Sequence, residues 1–407
     1  MIFPKLEKTS VLWQMSFLQL YQLIICIFDI HRKNCMKKEI IASIILILIT
    51  LACGNANPTP PSIPETSVFD SSETAYGFYP SPPEISLESV FQTFKDMAIY
   101  GDFVLIQQNV DWESFSSGVD GESQQRTDIT NQIILARQNS LDYVFVLDPL
   151  NGLNRREFFG VPANWDTNFA NPEIRAAMKN YALWVARNFE PRYLALASEI
   201  NTYMDANPED AQNFISLYNE IYALVKAEAP ETQIFVTFQW DDLNNMFPQP
   251  EEGNRQRLSP NWEQVEAFEP NLDVWAISSY PYFIFPRGED IPADYYSPLL
   301  ERTSKPVAFA EGGFSTQAFA QFNHTPEDQV AYLNALHEQL GPRMVFWVNT
   351  LLNDFNIDSY AREMAGQGRN PEDAAALGNF AYIGLREFDG TPKPALEVWQ
   401  SFRNPAP

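Results

Sequence analysis

Eight short apolar runs, each followed by polar residues and a helical pattern, set the architecture open to this chain. They fall at Ala75–Tyr79, Phe103–Ile106, Tyr143–Leu147, Tyr193–Ala197, Ile234–Phe238, Val274–Ile277, Val307–Ala310 and Val345–Val348. Runs this short, without polar alternation, read as strands covered on both faces, the mark of a parallel sheet. Between them lie amphipathic patterns, the clearest being Phe214, Leu217, Tyr218, Ile221, Leu224 and Val225, spaced for one buried stripe. Four helix starts share one design: Asn171-Pro172-Glu173, Asn207-Pro208-Glu209, Thr325-Pro326-Glu327 and Asn370-Pro371-Glu372. Each is expected to combine a capping side chain, a proline at the first helical position and an acid beside the unpaired N–H groups. Eight strands alternating with helices predict an α/β chain with one (β/α)8 TIM barrel domain over residues 75–407. An open doubly wound sheet would more often carry a glycine-rich first turn, and the chain has no GxGxxG.

The residues before the barrel divide into three. Residues 1–35 contain an apolar run, Val11–Ile30, upstream of a second start at Met36, and read as an over-extended start. Residues 36–53 place two lysines before an apolar run, Ile40–Leu51, and then Ala52-Cys53. This is the layout of a signal peptide, too short for a comfortable membrane span. It resembles a bacterial lipoprotein signal, which implies that Cys53 becomes a lipidated N-terminus; the pattern departs at Thr50, where an aliphatic residue is usual. Residues 54–74, rich in Pro, Ser, Thr and Asn, read as an extended tether. The expected location is therefore the extracytoplasmic cell envelope, with a lipid anchor as the sole membrane contact, or secretion after cleavage.

Composition narrows the chemistry. Cys26, Cys35 and Cys53 are the three cysteines, all at or before the end of the leader, so the barrel has no disulfide, thiol nucleophile or cysteine metal site. Histidine is limited to His31, His324 and His337, which argues against a Ser-His-Asp triad and a histidine-rich metal centre. A formal net charge of −25 repels nucleic acid and anionic headgroups. No cofactor and no metal are called for, and the domain is expected to act as a monomer. Carboxylates remain.

Two of them stand out. In YLALASEINTY the fourth run delivers Glu199 to its C-terminal end, and in PVAFAEGGF the seventh delivers Glu311. Barrel enzymes place their catalysts on that rim, and two acids there supply a proton donor and a nucleophile. The segments LASEIN and AFAEGGF, with SSYPYF, MVFWVN and GLREFDGTPKPALEVW, resemble clan A of the glycoside hydrolases over roughly residues 75–403. Within that clan, EIN is similar to the arabinogalactan endo-1,4-β-galactosidases, although AYGFYP lacks their usual opening. The resemblance implies retaining hydrolysis of β-glycosidic bonds in a poly- or oligosaccharide, with Glu199 as acid/base and Glu311 as nucleophile. It also implies that Tyr280 bonds the nucleophile; Trp347 is a candidate either to floor the sugar subsite or to plug the barrel. One departure weakens it: the clan's asparagine, which bonds the sugar 2-OH, is replaced by Ser198. That departure keeps a non-catalytic glycan-binding barrel in view, and a transglycosylase shares the same residues.

Further substrate-binding candidates are Trp112 and Trp240 as stacking platforms, and Asn109, Asn201 and Gln239 as hydroxyl binders. Gly312-Gly313 after Glu311 is expected to turn the backbone and keep the rim open. Charge on Glu311 is expected to keep Glu199 protonated. Asp241, Asp242 and Asp354 read as solvated loop acids rather than calcium ligands.

Overall fold

A computed structural model describes residues 67–70, 72–152, 154–246, 260–366 and 377–405. The leader with Cys53, the tether as far as residue 66, and the Asn370-Pro371-Glu372 helix start lie outside the described residues. The barrel strands are β1 (Ala75–Phe78), β2 (Phe103–Asn109), β3 (Asp142–Asp148), β4 (Tyr193–Ala195), β5, β6 (Trp275–Ser279), β7 (Val307–Gly312) and β8 (Met344–Val348). The fifth is in two halves, Gln233–Phe235 and Thr237–Gln239. Every pairing between neighbours is parallel. The first half of β5 pairs with β4 and the second with β6, so the sheet closes on itself around Val236. This is the (β/α)8 barrel that the eight apolar runs predict, in one domain.

The helix starts behave largely as their sequences require. Asn171 accepts from the N–H groups of Glu173 and Ile174, and Thr325 forms a reciprocal capping box with Asp328. Asn207 differs: its amide donates to Arg156 O, tying the helix Pro208–Glu228 to the loop after β3 instead of capping it.

The floor of the barrel is aromatic. Phe103, Tyr193, Phe235 and Phe346 meet at ring-centroid distances of 5.1–6.5 Å. Phe69, from the segment before β1, plugs the same layer at 5.0 Å from Tyr193 and 5.2 Å from Phe103. The chain thus enters at the N-terminal mouth, opposite the rim.

Because successive strand residues face opposite ways, Phe346 inside puts Trp347 outside. Trp347 packs on Trp399 and Phe402 of the C-terminal helix Pro394–Arg403, at 5.3 and 5.9 Å. It belongs to the barrel–helix layer and floors no subsite. Phe346→Ala would remove the ring that touches all the other floor aromatics, and should cost about 3–5 kcal/mol in urea unfolding. Trp347→Phe, which keeps an aromatic in the outer layer, should cost less.

Candidate active site

Two irregularities bring the acids to the rim. Phe309 of β7 packs on Tyr296, and Glu311, two residues on, would share that face in a regular strand. The register slips between them: Phe309 pairs with Ile277 and Glu311 with Ser278. The extra residue, Ala310, is a β-bulge that turns Glu311 to the face from which Ser278 projects. On β4 the ladder continues past the strand's end, with Leu196 N donating to Phe235 O and Thr237 N to Ala197 O. Glu199 then adopts a left-handed backbone (φ 51°, ψ 43°), and its N–H donates to Thr237 Oγ1 at 2.8 Å. The break in β5 next to Thr237 therefore sits beside the turn that presents Glu199.

Both carboxyls are buried and both are fully engaged. Glu311 accepts from Tyr280 OH at 2.7 Å and from Tyr79 OH at 2.9 Å. Among the described residues no cation pairs with it. Glu199 accepts from Ser278 Oγ at 2.6 Å and from Arg155 Nε at 3.0 Å. Arg155, itself buried, also bonds Asp148 through Nη1, while its Nη2 has no partner among the described residues. Gln107 closes the chain, donating to Asp148 at 2.9 Å, with its Oε1 2.7 Å from the Tyr79 hydroxyl, whose single proton serves either Gln107 or Glu311. One network thus runs Glu311–Tyr79–Gln107–Asp148–Arg155–Glu199–Ser278.

Burial, and then the charge of Glu199, push the Glu311 carboxyl up to about 7 against the pull of Arg155 and the two tyrosine hydroxyls. Burial raises both tyrosines well above their ordinary value, and the charge of Glu311 adds to it, so they serve as neutral donors. Burial works against the charge of Arg155, but Asp148, Glu199 and Glu311 together hold it protonated. Glu199 thus carries the arginine, and Glu311 is a carboxyl driven upward.

The other predicted binding residues divide from this pair. Ser198 is buried, with Oγ 3.2 Å from Thr237 Oγ1, facing β5. Asn201 stitches its helix to β5, donating to Gln239 O at 3.1 Å and accepting from Gln239 N at 2.7 Å. The Gln239 amide caps the next turn, accepting from Asp242 N and donating to Asp241. Asn109 donates to Asp148 O and Leu150 O, shaping the turn after β3. Trp112 and Trp240 are both buried, donating to Phe159 O and Tyr295 O, so neither offers a ring face as a platform.

The three aspartates read as solvated loop acids are buried too. Asp241 accepts from Tyr295 OH, Ser279 Oγ, Gln239 Nε2 and Tyr280 N, and so fixes the segment that carries Tyr280. Asp354 pairs with Lys393 at 2.7 Å, and Asp242 accepts from Thr202 Oγ1 at 2.9 Å. No cluster of metal-binding side chains occurs among the described residues. Gly312 serves close approach rather than a turn, since a Cβ there would lie 2.4 Å from Ser279 O and from the Phe309 ring.

Sequence reasoning missed Tyr79, Gln107, Asp148, Arg155, Thr237 and Ser278. For Arg155 a signal existed. Gly152 follows the strand Leu150–Asn151 and precedes Asn154–Phe158, and a glycine opening a two-residue connection is a hairpin turn signal; the hairpin pairs Leu150 with Phe158 and Asn151 with Asn154 and folds Arg155 back over the rim.

No family model and no curated protein matches the sequence. By structure the chain is similar to an exo-β-1,4-mannosidase from an Opitutaceae bacterium, at 14% identity and TM-score 0.58, covering 81% of this chain and 59% of that one. It is also similar to a GH5_18 protein from Bifidobacterium longum subsp. infantis, at 14% identity and TM-score 0.55, covering 81% and 78%. A fungal β-1,4-galactanase aligns at 14% identity and TM-score 0.52, covering 80% of this chain and 99% of the other. These likenesses establish the fold.

The raised Glu311 carboxyl has a consequence for stability. The folded state holds this proton up to about 7, against an ordinary value of 4.5, so its stabilising contribution is full below 4.5 and is lost as pH rises through 7. Asp354, raised to about 7 by burial, titrates in the same window and is shared by any Glu311 variant. Glu311→Gln should therefore gain on the wild type between pH 5 and 8, by on the order of 2–3 kcal/mol in urea unfolding at a series of pH values.

Proposed function

We propose that the protein is a retaining glycoside hydrolase that cleaves β-glycosidic bonds in an extracellular poly- or oligosaccharide. The observation that carries this reading is the buried pair at the rim, Glu199 after β4 and Glu311 on β7, with Tyr280 OH 2.7 Å from Glu311. The β-1,4-mannosidase and β-1,4-galactanase named among the structural neighbours support it at the level of the fold.

In the first step the Glu311 carboxylate forms a bond to the anomeric carbon while the bond to the leaving oxygen breaks and that oxygen takes a proton from Glu199. In the second, Glu199 accepts a proton from water, whose oxygen displaces Glu311 and restores the starting configuration. Tyr280 and Tyr79 steady the Glu311 carboxyl between these states. A sugar hydroxyl in place of water gives transglycosylation.

Two features favour a second reading, a surface barrel that binds glycan without cleaving it: Glu199 is tied to Arg155, and Ser198 faces Thr237 instead of a sugar. A panel of β-linked oligosaccharides, followed by reducing ends, separates the two. Under the hydrolase reading, Glu311→Gln abolishes turnover on every substrate. Glu199→Gln retains activity on glycosides with good leaving groups, with azide accelerating breakdown of the glycosyl-enzyme. The product keeps its anomeric configuration, and a 2-fluoro sugar labels Glu311. Inversion, or a label elsewhere, overturns the assignment; glycan binding without cleavage establishes the second reading.

The extracytoplasmic setting is part of the proposal. Ser67 and Val68 bond Asp142, and Phe69 fills the barrel floor, so a tether leading from Cys53 would reach the domain at the face opposite the rim. The site would then point away from the membrane. Mass spectrometry of the mature N-terminus should find acyl chains on Cys53, and Cys53→Ala should move the protein to the soluble fraction or leave it unprocessed. A different, unacylated N-terminus excludes the anchor.

A further inference from the structure

Arg155 is the one buried cation within the network of acids that runs from Asp148 to Glu199. It arrives on a hairpin that is not part of the barrel, and is fixed from behind by Asp148, which is held in turn by Gln107 and by Leu150 N. The other Glu199 oxygen accepts from Ser278. A carboxyl with a guanidinium on one oxygen and a hydroxyl donor on the other is arranged as an acceptor, whereas a proton donor needs one oxygen to carry hydrogen toward the leaving group.

We propose that Arg155 is a positioning residue for Glu199: its bond turns the carboxyl toward the hairpin and holds it as an anion. Protonation of a leaving group therefore requires that bond to open, and Arg155 decides which leaving groups the site expels. The inference rests on the hydrolase reading, and it specifies the substrates: glycosides whose leaving oxygen is acidic enough to depart with little protonation are favoured, and alkyl or sugar leaving groups are disfavoured until the bond opens.

The surroundings of both acids support this. Glu199 faces Arg155 and, through it, Asp148 on the β3 side; Thr237 from β5; Ser278 from β6; Asp242 from the turn after β5, whose carboxyl its charge helps to raise; and Glu311 from β7. Glu311 faces Tyr79, Tyr280, Arg155 and Glu199. With Arg155 bonded to Glu199 and Asp148, and no cation paired with Glu311 among the described residues, Glu311 is the carboxyl that takes up a proton, which is the reverse of the distribution that attack requires. Catalysis then moves one proton from Glu311 to Glu199, with no net uptake, before the anomeric carbon is attacked.

The test uses aryl β-glycosides whose phenols span a range of acidity. On wild type, kcat/KM should fall steeply as the phenol becomes less acidic, with a slope like that of Glu199→Gln. Arg155→Met combined with Asp148→Asn removes the clamp without leaving a lone buried charge. It should flatten the slope and raise kcat/KM on the least acidic phenol about tenfold or more, changing the most acidic little. A shallow wild-type slope, or one unchanged in the double variant, overturns the proposal.

A substrate-free arm reads the same point by carbon NMR of carboxyl-labelled glutamate, assigned with Glu199→Gln and Glu311→Gln. The last glutamate of the pair to ionise should be Glu311 in wild type and Glu199 in the double variant. If Glu311 remains last in both, Arg155 does not control the pair. If the order switches but no glycoside is cleaved, the hydrolase reading fails while the hold of Arg155 on Glu199 stands. Should the double variant not fold, Arg155→Lys, which keeps the charge without the Nε donor, is read in both arms, with a partial effect supporting the proposal and no effect overturning it.

Discussion

The polar interior of this barrel depends on one buried guanidinium. Asp148, Glu199 and Glu311 bring three acids into a space sealed from below by aromatic rings, and among the described residues Arg155 is the cation that offsets them. A carboxylate moved out of water costs several kcal/mol unless it is paired or hydrogen-bonded. The chain answers in two ways. Glu199 and Asp148 share the cation, and Glu311 is left with two neutral hydroxyls and a carboxyl that burial and the charge of Glu199 push upward. That unequal division places two chemically identical side chains in different electrostatic settings.

The division is supported from outside the barrel as well. Asp241, fully buried, gathers Tyr295, Ser279, Gln239 and the N–H of Tyr280, so the loop after β6 is fixed before Tyr280 reaches Glu311. Phe380 and Phe283 then pack against the Tyr280 ring at 5.1 and 6.2 Å. A hydroxyl held at both backbone and ring loses little entropy on bonding a carboxylate, which favours a single geometry.

How much of this was legible in the sequence follows from which physical signals are local. The barrel was legible because eight apolar runs and their helical partners are patterns of period, and the two acids because each directly follows such a run. The tryptophans misled because richness in aromatics says nothing about direction. Strand alternation does: once Phe346 is assigned to the interior, Trp347 must face the helices, and that inference needed only the parity of one strand. Asn109 and Asn201 were read as hydroxyl binders because amides at loop starts look alike, yet both are spent on backbone groups that their own turns expose. The bulge at Ala310 left no such trace. An alanine in an apolar run carries no mark of an extra residue, and the register that reveals it is a property of two strands, not one.

The same contrast explains where the irregularities fall. The floor is made of rings in contact, and its one slip of register, between Val307 and Ala308 against β8, leaves Phe346 among them. At the rim β5 is broken at Val236, β7 is bulged at Ala310, and Glu199 holds a left-handed backbone that a residue with a Cβ adopts at a cost of about 1–2 kcal/mol. Each departure serves one of the two acids. The break lies next to Thr237, whose hydroxyl receives the Glu199 N–H; the bulge turns Glu311 inward; the left-handed turn swings the Glu199 side chain from the line of β4 toward Arg155 and Ser278. A regular strand would send Glu311 to the face of Phe309, and a right-handed turn would carry Glu199 along the helix that follows. Left-handed residues occur elsewhere too, at Ser140, Glu190, Asn245 and Ala320, but three departures gathered around two carboxyls are the pattern expected where geometry at the rim has been a strong constraint on the chain.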